Sequence, residues 1–292
     1  AILEEIALDK DFLVNGGPGT GKSLVLLERI RKLVQDEYGN QHAGKRTTFA
    51  LLTFTNTLVK YDRFLASIMV SYELSLQGPI FTIDSYLKDA LKAHEQHAQI
   101  DYDPGFLENL IIEYGMPAFS TPDELAEELE EQIFGNDLDE RGYLEADSDK
   151  GFDNSQKSMI WSMADSIKKE MARRRHYSRN ASRLRLIELQ SANPKTSPMR
   201  DVIFLDEVQD LPLVDIRAIQ TLRREALIMA GDFGQAIYRV SDALEESQQS
   251  QGIETRSLHT NFRNTQQIGF LATTFQKLAG HELPSDETGN AF

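Results

Sequence analysis

Apolar residues along the chain fall into two alternating patterns. Short unbroken runs bounded by glycine, proline or charge read as buried strands: Phe12–Val14, residues 47–53, GPIFTIDSYL with Gly78 and Pro79 at its start, DVIFLDE and EALIMAGD. Between them the apolar spacing shifts to the three-to-four period of a helix, as in Leu24, Leu27, Ile30 and Leu33–Val34. Five such strands alternating with helices predict an α/β fold, a parallel sheet covered on both faces.

From residue 88 to about 198 the strand pattern stops. TPDELAEELEEQIF, KSMIWSMADSIKKEMARRR and SRLRLIELQ are helical in spacing, and SANPKTSP closes the stretch as a loop. The expectation is one α/β domain built from residues 1–88 and 199–292, interrupted by a mostly helical inserted subdomain over 89–198. Trp161, with Met159, Ile160 and Met163 around it, reads as core of that insertion.

Composition narrows the class. The 292 residues contain no cysteine, which removes disulfides, thiolate zinc sites, iron–sulfur clusters and cysteine nucleophiles and fits a reducing, cytoplasmic setting. No apolar run approaches the ~20 residues that a bilayer crossing needs, so no membrane role is expected. The net charge of −15 argues at first against a nucleic-acid partner. Its distribution changes that. Residues 101–153 hold 17 Asp and Glu against Arg141 and Lys150, and the rest of the chain, with 29 acids and 29 bases, is neutral. Residues 168–185 hold eight Lys and Arg against Glu170 alone.

The first strand runs into GGPGTGKS at 16–23, a full match to G-x-x-x-x-G-K-[ST] between a strand and a helix. Gly16, Gly17, Gly19, Thr20 and Gly21 allow backbone N–H groups to turn toward phosphate oxygens at the positive end of the helix. Lys22 is expected to reach the β- and γ-phosphates, and the Ser23 hydroxyl to join a Mg2+ shell. A buried strand ending in an acid should complete the site, and VIFLDEVQD supplies one. Asp206 would hold magnesium through water, and Glu207 would polarise an attacking water as general base. Capping a helix that begins near Leu213 is a role these acids would share. Asp232 and Gln235, at the exit of the fifth strand, would face the γ-phosphate if that strand lies beside the fourth. Arg263 is a cation within reach of the same phosphate, though taken alone it reads as a surface arginine.

The ordered set GGPGTGKS, LTFTNTL, FTIDSY, LDEVQD, GDFGQAIY and LHTNFRN resembles the motifs of superfamily 1 helicases of the UvrD/Rep/PcrA type. The resemblance covers residues 12–87 and 202–275. It implies a RecA-like P-loop NTPase lobe (1A) with a 1B-like insertion, binding ATP and Mg2+ and moving 3′ to 5′ on single-stranded DNA. Lys22 and Ser23 would hold phosphate and magnesium, Asp206 magnesium, Glu207 the water, and Gln235 and Arg263 the γ-phosphate. Phe54, Thr55, Asn56 and Ser85 would lie along the DNA, and Tyr238 in the coupling segment. Two positions depart from the pattern. Asp84 stands where the family has His, and Val240 where it has a base-stacking Trp, a contact worth ~1–3 kcal/mol per base. The family also implies a second motor lobe of the same polypeptide supplying an arginine finger. The chain is therefore expected to be a monomeric ATP-binding lobe that hydrolyses slowly by itself.

Arg173, Arg174 and Arg175, with His176 and Tyr177 available for stacking, are candidates for contact with duplex phosphates. The competing reading pairs these arginines with the acidic block. That block reads as solubilising surface, or as an autoinhibitory segment over a cationic track. Two other function classes stay open: an ATP-controlled binding switch without unwinding, and a small-molecule phosphotransferase, against which GDFGQ and NFR argue.

Overall fold

The computed structural model describes residues 6–39, 47–69, 79–115, 117–194, 199–232, 253–258 and 260. The chain divides into two compact units. Ala1–Asp84, Met199–Leu211 and Arg223–Phe292 form the first; Ser85–Pro198 and Pro212–Leu222 form the second. The sequence placed 212–222 in the α/β domain and began the insertion at 89, so both boundaries differ from expectation.

The first unit is a six-stranded sheet in the order β3-β2-β6-β7-β1-β8. Its strands are β1 (Phe12–Gly16), β2 (Phe49–Thr53), β3 (Ile80–Thr82), β6 (Arg200–Leu205), β7 (Arg223–Gly231) and β8 (Glu254–Leu258). All neighbours run parallel. Helices α1 (Lys22–Gly39) and α2 (Asn56–Met69) follow β1 and β2. Their buried residues Leu26, Leu27, Ile30, Val59 and Ala66 pack with one face of the sheet, formed by Phe12, Val14, Leu51, Phe204, Ile228 and Ala230 among others. The five strands read from sequence are present, and β7 lies beside β6. The sixth, β8, was not anticipated: ETRSL carries alternate charges and only a half-buried edge. At the amino edge, Asp11 accepts from Arg223 at 2.6 Å and from the Leu227 amide at 2.8 Å, which ties the start of β1 to β7.

The second unit is mostly helical: α3 (Ile83–His94, entered from the first unit), α4 (Gly105–Tyr114), α5 (Pro122–Glu127), α6 (Glu140–Glu145), α7 (Asn154–Arg174), α8 (Arg179–Ala192) and α9 (Leu213–Thr221). A π-helical turn, Glu128–Phe134, continues α5. It also holds a two-stranded parallel ladder of β4 (Gln99–Asp101) and β5 (His176–Ser178), which the helical reading of 89–198 missed. α9 belongs to this unit because Asp215, fully buried, accepts from Arg179 at 2.7 Å and Arg183 at 3.0 Å. Asp215 carries one charge against two buried or half-buried guanidinium groups, so neither helix can leave the other cheaply.

Candidate functional site

The site is built at the carboxyl ends of β1, β6 and β7, the edge at which parallel α/β sheets place their ligands. β1 ends on Gly16, where a methyl group would sit 2.5 Å from Thr20 Oγ1 and 3.0 Å from Leu258 Cβ; only glycine lets the loop fold back there. Thr20 Oγ1 donates to the Gly17 carbonyl at 2.8 Å. Gly19 and Gly21 have φ of 81° and 87°, left-handed values that side chains resist. The loop therefore closes on itself and delivers α1 amino end first. Lys22 is buried at that end, its ammonium donating to the Gly16 and Gly17 carbonyls at 2.7 and 3.3 Å.

β6 brings the acids. Asp206 is buried, and its amide donates to the Leu52 carbonyl at 3.0 Å, which fixes it against β2. The nearby Ser23 hydroxyl favours the charged form of its carboxylate. Burial is the main influence on this carboxyl and, with Glu207 adding its charge, pushes it up to about 6. Glu207 turns away in the left-handed region at φ 55°, ψ 45°, and starts a short 3-10 turn, Val208–Asp210. Such a conformation in a non-glycine residue costs about 1 kcal/mol or more and marks a constrained position. Burial, then Glu207, also raises Asp210.

Gln209 is a member of this site that no sequence signal singled out. Its Nε2 donates to Glu207 Oε2 at 2.8 Å, and its Oε1 accepts from the Asp232 amide at 3.0 Å. One side-chain amide thus ties the end of β6 to the exit of β7, where Asp232 is buried. Gly231 permits this: a methyl group there would lie 2.5 Å from Val208 Cγ1 and 3.0 Å from Gln209 Oε1.

The donor set suits a nucleoside triphosphate with a hard divalent cation. The amino end of α1 and Lys22 offer positive potential for phosphates. A hydroxyl and one carboxylate, Ser23 and Asp206, suit magnesium, which keeps waters and phosphate oxygens for most of its shell. Among the described residues no group of three or more His, Cys, Asp or Glu side chains is gathered to hold a metal, so a full protein cage is absent there.

Residues 3–250 match the family described as UvrD/REP helicase N-terminal domain. The chain belongs to this family. Comparison with curated proteins returns no match. Membership in the UvrD/REP helicases identifies the first unit as a RecA-like P-loop domain and supports an ATP-dependent helicase function.

The other expected positions are scattered in outcome. Phe54 is 45% exposed, and Thr55 and Asn56 are exposed beside it. The Thr55 hydroxyl accepts from the Leu58 amide at 3.2 Å, capping α2, so part of this segment serves the helix. Asp84 is half-buried in the first turn of α3, where an acid suits the helix dipole, and Ser85 is exposed. Gln235, Tyr238, Val240 and Arg263 lie outside the described residues.

Within the second unit, three readings need correction. Tyr177 is 2% exposed and donates to Glu95 at 2.8 Å; it is not available for stacking, and His176 is half-buried with its ring centroid 4.3 Å from that of Phe106. The basic run is neutralised mainly from outside the acidic block: Lys169 by Asp165, Arg173 by Glu170, Arg183 by Asp215, Arg185 by Glu95. Of the exposed Arg173, Arg174 and Arg175, the second also meets Glu113, a member of that block. The acidic block is not mere surface either. Buried Glu128 accepts from Tyr143, and Glu130 from Ser178 Oγ at 2.6 Å and the Asn180 amide at 2.7 Å. With Leu125, Leu129, Ile133 and Phe134 buried among them, residues 123–149 are packed structure, not a displaceable strap. Trp161 is half-buried against Tyr143, with centroids 6.2 Å apart, while Met159 is 53% exposed.

Proposed function

We propose that this chain is the ATP-binding lobe of a DNA translocase that hydrolyses ATP to move 3′ to 5′ on single-stranded DNA. The observation that carries the proposal is that Ser23, at the end of the phosphate loop, lies close enough to the buried Asp206 carboxylate to favour its charged form. This proximity joins the ends of β1 and β6, two strands that β7 separates, into one cation-side pair. ATP with Mg2+ supplies the phosphoryl bond to be broken and the charge that draws electrons from it. Lys22 exchanges its carbonyl partners for phosphate oxygens. Ser23 and Asp206 orient the cation side. Glu207, held by Gln209, takes a proton from the attacking water. Gln235 and Arg263 are assigned to the γ-phosphate by the family resemblance, as Tyr238 is to coupling.

The strand would lie along Phe54, Thr55, Asn56 and Ser85, with the exposed aromatic face of Phe54 as a stacking surface. Arg173, Arg174 and Arg175 contribute less than a count of charges implies, because two are already paired. The proposal also takes a monomeric, cytoplasmic protein whose second motor lobe lies on the same polypeptide.

The test is ATP hydrolysis with and without single-stranded DNA, on this chain and on a two-lobed polypeptide that carries it. DNA should accelerate hydrolysis by the two-lobed protein, Glu207→Gln should abolish it, and this chain alone should bind ATP yet turn over slowly. If DNA changes neither hydrolysis nor ATP affinity in either protein, the translocase proposal is wrong and the switch without unwinding falls with it.

A further inference from the structure

Two buried oxygens beside the acidic end of β6 have no hydrogen-bond partner: Thr53 Oγ1 and Asp62 Oδ2. Thr53 is 1% exposed and Asp62 3%. Both belong to the sheet face that carries α2. Side chains alternate along a strand, so Thr53 follows the core residue Leu51 on that face, as Asp206 follows Phe204. The pairing of Leu52 with Leu205 brings the next residues, Thr53 and Asp206, to adjacent positions. On α2, Asp62 falls at helical spacing between Val59 and Ala66, both in the core that packs this face. The charges felt by its carboxyl are those of Asp206 and Glu207, which together with burial, the larger cause, push it up to about 7. The neighbouring Arg63 does not answer it; its guanidinium donates to the Ile80 carbonyl at 3.0 Å.

A leucine at position 62 would continue the apolar stripe of α2 with no charge to desolvate. A carboxyl with a dry oxygen, facing two more acids, is among the costliest groups to bury. Such a group is tolerated where a donor arrives with a ligand, and a threonine hydroxyl without a partner alongside it makes the spot fit for water. We propose that Thr53 and Asp62 form an outer polar layer of the cation site, holding the water that links Asp206 to α2. They are positioning residues, not ligands. The inference rests on the reading of Asp206 as the cation-side carboxylate. It adds a consequence for motion: α2 starts at the Thr55 cap, so one helix joins the proposed strand-contact segment to the cation site.

The test uses the 292-residue chain with ATP and Mn2+ as a paramagnetic stand-in for magnesium, comparing wild type, Asp62→Asn, Asp62→Leu, Thr53→Val and Asp206→Asn. Outer-shell partners typically contribute 10–100-fold to metal affinity, so the position-62 variants should weaken Mn2+ binding by about that factor. Thr53→Val should weaken it less. Without metal, Asp62→Leu should melt several degrees above wild type, and the Asp62 and Thr53 variants should bind ATP in EDTA as wild type does. Unchanged Mn2+ affinity in Asp62→Asn and Asp62→Leu would overturn the inference, whatever their melting temperatures. Absence of Mn2+ binding by ATP-loaded wild type would instead overturn the underlying reading of Asp206, and the inference with it.

Discussion

Replacing Gly231 by alanine probes how the catalytic acid is positioned without touching any group that would meet ATP. The added methyl would approach Val208 Cγ1 to 2.5 Å and Gln209 Oε1 to 3.0 Å, so both must move. The backbone of Gly231 is not left-handed, and conformational strain at position 231 adds nothing. Overpacking of this kind costs roughly 1–3 kcal/mol. Displacing Gln209 puts two hydrogen bonds at risk, at 2.8 Å to Glu207 and 3.0 Å from Asp232, each worth about 1 kcal/mol net. A loss of about 2–4 kcal/mol follows, or a fall in melting temperature of very roughly 5–15 °C at ~2–4 °C per kcal/mol. Turnover should fall with it, while ATP affinity changes little, because the phosphate loop lies on β1. Thermal melting, fluorescent-nucleotide binding and hydrolysis separate the three effects. A second substitution, Val208→Ala, removes the nearer contact and should restore part of the stability. If Gly231→Ala melts like wild type, or if the double variant is simply the sum of two losses, the packing argument is wrong.

Other expectations are simpler. Gln209→Leu, which keeps the volume but not the amide, should slow hydrolysis tenfold or more with ATP affinity kept; equal loss of both would assign Gln209 to folding instead. Asp215→Ala leaves Arg179 and Arg183 without their shared acid and should cost about 3–5 kcal/mol in urea denaturation. For Asp62, whose folded carboxyl is raised from 3.8 to about 7, the neutral form is the one that folding favours. Its contribution is therefore fully present below pH 3.8 and is lost as pH rises through 7. Asp62→Asn should accordingly gain stability relative to wild type across that window in metal-free buffer. A constant difference between the two proteins would show that Asp62 does not titrate there.

Local signals carried the phosphate site far. The strand, the glycines and the helix start of residues 12–23 are a contiguous pattern whose physics is local, and the four apolar residues before Asp206 fixed both a strand and its exit. Pairing order is not local. That β7 separates β1 from β6, and that β8 covers the outer side of β1, depend on contacts between distant segments. Gln209 and Gly231 were legible only as letters of motifs, because their importance comes from a 2.8 Å contact and a forbidden methyl. Asp62 was invisible for a similar reason: on an amphipathic helix a single acid reads as surface until its neighbours are known. Charge counting failed most clearly. The basic run over 168–185 resembled a phosphate track, yet Arg183 and Arg185 face Asp215 and Glu95, acids that no charge plot along the chain would assign to them.

The central claim is that the ends of β1 and β6 form one nucleotide–cation site. Equilibrium binding of a fluorescent ATP analogue to this chain, with and without Mg2+, tests it most directly. Wild type should bind more tightly with Mg2+, Lys22→Ala should lose binding in both conditions, and Asp206→Asn should lose only the gain from Mg2+. Binding that ignores Mg2+ in wild type, or that survives Lys22→Ala unchanged, would contradict the account.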